Sequence, residues 1–193
     1  MSKLNPIYEN PIDNFIVFNI CSPISSFIHS SGITPNMITT VSFLSGLTSL
    51  YFLYNYDINK FMLLYIFSYI CDCLDGFIAR KYNMSTVFGD YYDHYTDIIQ
   101  YLLFLTIIFY KYDFVKKPYA ILIYFFIGMM FLLTQGCQEI LMKNNSSEIV
   151  GNTKILCFKH LLENISFYRI FGTSTVHLSS MILVYYLHSN LSK

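Results

Sequence analysis

Residues 71–97 read "CDCLDGFIARKYNMSTVFGDYYDHYTD". The stretch carries Asp72, Asp75, Asp90, Asp93 and Asp97 between greasy flanking segments. Asp72 and Asp75 are spaced i, i+3, and Asp93 and Asp97 are spaced i, i+4, so each pair falls on one face of its own helix. A turn written "KYNMSTVF" joins the two helices and makes them antiparallel neighbours. Four carboxylates then converge between them, while Asp90 points off the shared face as a solvated or capping residue.

The flanking sequence decides what surrounds these carboxylates. Of 193 residues, 54% are hydrophobic and 12% charged, against about 25% charged in ordinary globular chains. The mean hydropathy is positive. No Asp, Glu, Lys or Arg occurs from Ser31 to Tyr56. Further apolar segments run from Phe61 toward Arg80, from about Gly89 to Tyr110, from Pro118 to Gln138 and through "GTSTVHLSSMILVYYLHSN". A membrane helix needs about 20 predominantly apolar residues, so these five segments are expected to span. A sixth, "TKILCFKHLLENISFYRIF", carries Lys159, His160, Glu163 and Arg169 and reads as a buried or interfacial helix. The expected fold is all-α: one domain over residues 1–193, a polytopic membrane bundle of five to six helices over residues 35–189.

An interfacial amphipathic helix is expected before the bundle, over residues 12–30. Ile12, Phe15, Ile16, Ile20, Ile24, Phe27 and Ile28 recur at helical spacing opposite Asp13, Asn14, Asn19, Ser25, Ser26 and Ser30, with Pro23 as a break. Thr34 and Pro35 read as N-cap and first residue of the first span. "MSKLNPIYENPID" lacks the pattern of a secretory signal. The five cysteines form no disulfide framework or zinc pattern, and Cys71 and Cys73 read as packing residues. The net charge is zero, with no basic patch for nucleic acid. If the end of the second span faces the cytoplasm, that side holds Lys3, Arg80, Lys81, Lys143, Lys154, Lys159 and Lys193 against Lys60, Lys111, Lys116 and Lys117 opposite.

Four carboxylates at membrane depth require neutralisation and mark a functional site. Of the cationic side chains, only Arg80 and Lys81 lie near. All-carboxylate oxygen ligation suits Mg²⁺ or Mn²⁺ rather than zinc, and four carboxylates can hold two such ions, an arrangement suited to displacement at phosphorus. Gly76 follows Asp75, and Gly89 sits four residues before Asp93 on the same face. Glycine within a helix costs about 1 kcal/mol relative to alanine; close approach of a ligand would offset it. Arg80, one turn beyond Gly76, could clamp a phosphate. The plainer reading is that the four aspartates are only the polar ends of two spans.

The pattern D-x2-D-G-x2-A-R-x8-G-x3-D-x3-D, here Asp72, Asp75, Gly76, Ala79, Arg80, Gly89, Asp93 and Asp97, resembles the signature of the class I CDP-alcohol phosphotransferase family at every fixed position. "GITPNMIT" resembles that family's entry to its first membrane helix. The resemblance covers residues from about 20 to 110. It implies six membrane helices after an interfacial helix, a homodimer, and transfer of a substituted phosphate from a CDP-alcohol to an alcohol with release of CMP. It implies that Asp72 and Asp93 bridge two Mg²⁺ or Mn²⁺ ions, that Asp75 completes one site, and that Asp97 completes the other and serves as base. Gly76, Arg80, Thr86 and Gly89, with the stretch from Asn36 to Thr39, would contact the CDP-alcohol, although Asn36, Thr39 and Thr86 also suit helix-start roles.

His94, directly after Asp93, resembles the choline and ethanolamine branch, which uses diacylglycerol as acceptor. The short chain, "STVFG" and the N-terminal region resemble the CDP-diacylglycerol branch more closely, so phosphatidyl transfer at the cytoplasmic face is favoured. A cation- or proton-coupled transporter is the competing class, since intramembrane carboxylates serve such proteins too. A transporter predicts carboxylates spread along a path and often an internal repeat. Neither feature occurs here.

Overall fold

A computed structural model describes residues 5–142 and 150–190. Lys3, Lys143 and Lys193 lie outside them, as does most of the polar loop before Val150. The described residues are helical without a strand: α1 (Pro11–Ile16), a π-helical segment (Val17–Cys21), α2 (Ser22–Ser30), α3 (Pro35–Tyr54), α4 (Ile58–Lys81), α5 (Val87–Lys111), α6 (Pro118–Leu141), α7 (Lys159–Glu163), α8 (Ile165–Tyr168) and α9 (Thr173–Ser189).

Local chemistry sets the ends of the three helices that build the site. Thr34 Oγ1 accepts from Met37 N at 3.4 Å with Pro35 as the first residue of α3. Asp57 caps α4 by accepting from Lys60 N at 3.2 Å, and its bonds to Lys60 hold its carboxyl below the usual range. α4 closes with Asn83 in the left-handed region (φ 54°) and Met84 N bonded to Ala79 O at 2.8 Å, a backbone cap that stops a helix without a proline. Thr86 Oγ1 then accepts from Gly89 N at 3.0 Å and starts α5. The turn between Lys81 and Val87 is therefore shorter than the eight residues expected, because both caps are built into it.

Two expectations bear on the spans and on the N-terminal helix. Four stretches are long and apolar enough to cross a bilayer: Pro35–Tyr54, Ile58–Lys81, Pro118–Leu141 and Ile165–Ser189. Length and apolarity among the described residues thus bear out four spans of the five to six expected. α5 has 25 residues, about 37 Å at 1.5 Å per residue, but Asp90, Asp93 and Asp97 make its first half too polar for that criterion. The doubtful segment from Thr153 is broken into a 3₁₀ stretch (Val150–Leu156), α7 and α8, and its end continues into the last span. The second needs correction: Pro23 does not break the N-terminal helix. The turn before it widens to π geometry, with Ser22 N–H bonded to Val17 O. That loosens the turn into which the proline ring would otherwise crowd.

The N-terminal helix also docks further than its polar face suggested. Ile16, Val17 and Cys21 pack with Ile38, Tyr69, Leu74, Phe77 and Ile78. Of the polar face, Ser25 is buried and bonded by Lys81 Nζ at 2.8 Å. Asp13 accepts from Tyr69 Oη and from Ser174 N, the latter at 3.2 Å. Burial raises the Asp13 carboxyl above its ordinary value despite these bonds. Phe15, Phe18, Ile24 and Phe27 stay exposed, an apolar surface that fits a helix lying in the interface.

Helix association in lipid depends on close packing and interhelical hydrogen bonds. Ser42 Oγ donates to Ser68 O and Ser68 Oγ to Ser42 O, both at 2.8 Å, locking α3 to α4. Gly46 lets Gln100 of α5 reach the same level, where a Cβ would collide with its amide. At the opposite end Leu50, Leu53, Phe61, Phe104, Ile108, Phe114, Val184 and Leu187 form an apolar plug.

Cys137 of α6 and Cys157 form a disulfide, a pairing not expected from the sequence. It fastens the segment after the undescribed loop to α6. Gly136 permits this approach, since a Cβ there would run into the backbone carbonyl of Thr153. Gly136→Ala is expected to cost about 1–3 kcal/mol, read as a lower apparent Tm in detergent. An unchanged Tm would mean the strap is free to lift.

Candidate functional site

Antiparallel pairing brings the carboxylates together in two levels. Asp75 lies six residues before the end of α4 and Asp93 six after the start of α5, so both sit about 9 Å along their helices from the turn. Asp72 and Asp97 lie about 14–15 Å along by the same measure. Ligand oxygens of Asp72, Asp75 and Asp93 fall within 4.8 Å of one another. Asp97 stands outside that triad but within charge-interaction range of Asp72, Asp75 and Asp93. Asp75 is buried and accepts from Thr39 Oγ1 at 2.5 Å.

The donor set is chemically uniform. Cys71 packs in the core and Cys73 against it, so the expectation that they are packing residues holds. Three hard oxygen donors from two rigid helices, with no nitrogen or sulfur among them, suit a hard divalent cation. Arg80 is the nearby guanidinium. Its Nη1 lies 2.9 Å from where a Cβ on Gly76 would sit, so Gly76 is the space the guanidinium uses. Glu9, Asp75 and Asp93 surround Arg80 at charge-interaction range, and its Nε is buried without a hydrogen-bond partner. Glu9 was not singled out in the sequence because it lies more than sixty residues from the motif.

Asn36, Thr86 and Gly89 form a second group. A Cβ on Gly89 would lie 3.0 Å from Asn36 Oδ1 and 3.1 Å from Thr86 Oγ1. Gly89 thus brings the starts of α3 and α5 together. Thr86 serves as a helix cap, and Thr39 donates to Asp75, so both hydroxyls are engaged. Thr40 Oγ1 and Tyr92 Oη, 3.0 Å apart, add a further link between α3 and α5. Asp90 lies in the first turn of α5, 3.6 Å from His94 Nδ1 and apart from the triad.

A bundle with apolar spans and a carboxylate triad near one end defines a membrane-embedded protein with a candidate cation site. The profile of the CDP-alcohol phosphatidyltransferase family matches residues 32–188. The chain belongs to this family and is an integral membrane protein. It is similar to an uncharacterized protein of Aquifex aeolicus, 32% identical over 96 residues, covering 49% of this chain and 44% of that one. It is also similar to two Arabidopsis thaliana proteins, a probable CDP-diacylglycerol–inositol 3-phosphatidyltransferase 2 (44% identical) and a CDP-diacylglycerol–inositol 3-phosphatidyltransferase 1 (40% identical). Each of those matches spans 48 residues, 25% of this chain and 21% of the relative. The matched stretches thus cover less than half of these relatives. No solved structure matches the chain.

Proposed function

We propose that this protein, acting as one membrane domain over residues 1–193, transfers a phosphatidyl group from CDP-diacylglycerol to an alcohol and releases CMP in phospholipid synthesis. The observation that carries this reading is the convergence of Asp72, Asp75 and Asp93 within 4.8 Å, one level from Asp97. Similarity to the two Arabidopsis proteins favours inositol as acceptor. In this reading Asp72 and Asp93 would be shared by two Mg²⁺ or Mn²⁺ ions, with Asp75 completing the ligands of one and Asp97 those of the other. Bound there, the ions would neutralise the pyrophosphate oxygens and the charge developing on the CMP leaving group. Thr39 orients Asp75. Arg80, seated over Gly76, meets the donor phosphates, and Asn36, Thr86 and Gly89 shape the nucleotide side.

Asp97 takes the proton from the acceptor hydroxyl as its oxygen bonds to the phosphatidyl phosphorus and the bond from that phosphorus to CMP breaks. The site opens near the cytoplasmic face, where CMP leaves into water and lipid enters sideways. A homodimer is the working assembly.

The test is CMP release by the purified protein in detergent with Mg²⁺ or Mn²⁺, offering CDP-diacylglycerol with inositol, inositol phosphate, serine or glycerol phosphate, and CDP-choline or CDP-ethanolamine with diacylglycerol. Metal-dependent release from CDP-diacylglycerol and inositol is expected. Release only from CDP-choline or CDP-ethanolamine would move the protein to the other branch. Thr39→Val removes the hydroxyl on Asp75 at nearly constant shape. It is expected to weaken Mn²⁺ affinity about 10–100-fold, measured by the Mn²⁺ dependence of the rate. Unchanged Mn²⁺ dependence would return Thr39 to a helix-packing role.

A further inference from the structure

Below the carboxylates the bundle interior turns neutral and polar before it turns apolar. On α4, Tyr65, Tyr69, Asp72 and Gly76 follow at i, i+4, i+7 and i+11, so the stripe that carries Asp72 continues inward as two tyrosines. On α5, Tyr101 lies one turn beyond Asp97. α9 supplies the facing wall. The His177 ring stacks on Tyr69 with centroids 4.3 Å apart and lies 5.1 Å from the ring of Tyr65. Ser180 Oγ is 2.9 Å from Tyr124 Oη and within hydrogen-bonding reach of Tyr65, and Asp97 lies within charge-interaction range of Tyr65. Beneath this layer Phe61, Phe104 and Val184 close the interior.

His177 Nδ1 is shielded in this layer and has no hydrogen-bond partner. One turn earlier on α9, Ser174 Oγ is likewise buried without one. Ionisable side chains within a span are costly and face a functional interior, and an orphaned polar atom there is satisfied when a ligand supplies the missing bond. The charge pattern is equally specific. No Lys or Arg occurs on α4 between Phe61 and Ala79, on α5 between Val87 and Tyr110, or anywhere on α6 or α9. Arg169 is bonded to the carbonyls of Pro6 and Ile7.

We propose that His177, backed by Tyr65 and Tyr69, binds the acceptor alcohol beneath Asp97 and that this wall selects a neutral polyhydroxylated acceptor over a phosphorylated one. The proposal rests on the transferase reading above and names the side chains that choose its second substrate. The Tyr65 hydroxyl and an imidazole can each donate to or accept from a polyol hydroxyl, while Tyr69, whose hydroxyl donates to Asp13, backs the imidazole by stacking. A phosphomonoester dianion entering here would find no cationic side chain on the wall and would be desolvated beside carboxylates.

Steady-state kinetics test this, with CDP-diacylglycerol, Mn²⁺ and either inositol or inositol phosphate, on wild type, His177→Asn, His177→Gln and Tyr65→Phe. Asn places a hydrogen-bonding atom near the position of Nδ1; Gln reaches instead to that of Nε2. His177→Gln is expected to raise the KM for inositol roughly tenfold while the KM for CDP-diacylglycerol stays within about twofold; His177→Asn is expected to raise the inositol KM less than His177→Gln does. Tyr65→Phe keeps the ring and removes one hydroxyl, so it guards against a His177 variant that fails to fold; its KM for inositol is expected to rise several-fold. Wild type is expected to prefer inositol. An unchanged inositol KM in both His177→Gln and Tyr65→Phe would overturn the wall while leaving the transferase reading intact. A wild-type preference for inositol phosphate would overturn the neutral-acceptor claim. Absence of CMP release with every acceptor would sink the transferase reading and this proposal with it.

Discussion

Asp97→Asn is expected to lower kcat for CMP release by roughly 10²–10⁴-fold, the range associated with a positioned general base. The amide keeps the shape and some coordinating ability of the carboxylate but cannot take the acceptor's proton. Asp97 stands outside the oxygen cluster of Asp72, Asp75 and Asp93. Metal binding should therefore survive in part, and the loss should fall on kcat more than on the KM for CDP-diacylglycerol. Single-turnover measurement with saturating Mn²⁺ separates the two. A variant with near-normal kcat would remove Asp97 as the base and pass that role to another group near the acceptor.

Asp93→Asn is the second large effect. Asp93 is the one member of the triad that α5 supplies, facing Asp72 and Asp75 of α4. Its loss should abolish metal-dependent turnover, exceeding the 10–100-fold that loss of an outer partner costs. EDTA should abolish wild-type activity, and added Mn²⁺ or Mg²⁺ should restore it. The same addition should not rescue Asp93→Asn at metal concentrations that saturate wild type. Full rescue at those concentrations would mean that Asp93 is not a ligand and that α5 contributes to the site only through Asp97.

Much of the site was legible because its information is local. Asp72 with Asp75, and Asp93 with Asp97, are separated by one helical turn, and a short capped turn joins the two helices. Spacing alone therefore puts the carboxylates face to face. Thr34 and Pro35 could be read as a helix start for the same reason. What was misread depended on a balance between neighbours. The span count was the less legible part, because Asp90, Asp93 and Asp97 lower the hydropathy of α5 and because α7 and α8 interrupt an otherwise apolar stretch. Pro23 was read as a break because its effect depends on whether the preceding turn can widen, as it does.

The sequence by itself determined a membrane-embedded helical chain, the family signature and the four carboxylates, since hydropathy, helical period and motif spacing act over a few turns. Only the tertiary structure decided that Thr39 serves Asp75, that Glu9 lies near Arg80, that Cys137 pairs with Cys157, and that His177 and the tyrosines form a layer beneath the site. Those partners come from α3, the N-terminal segment, the strap after α6 and α9, far apart in the chain. The physical reason is that such contacts depend on how helices pack against one another, through small residues such as Ser42, Gly46 and Gly136, and helix packing is a property of pairs of surfaces that no single stretch of sequence contains.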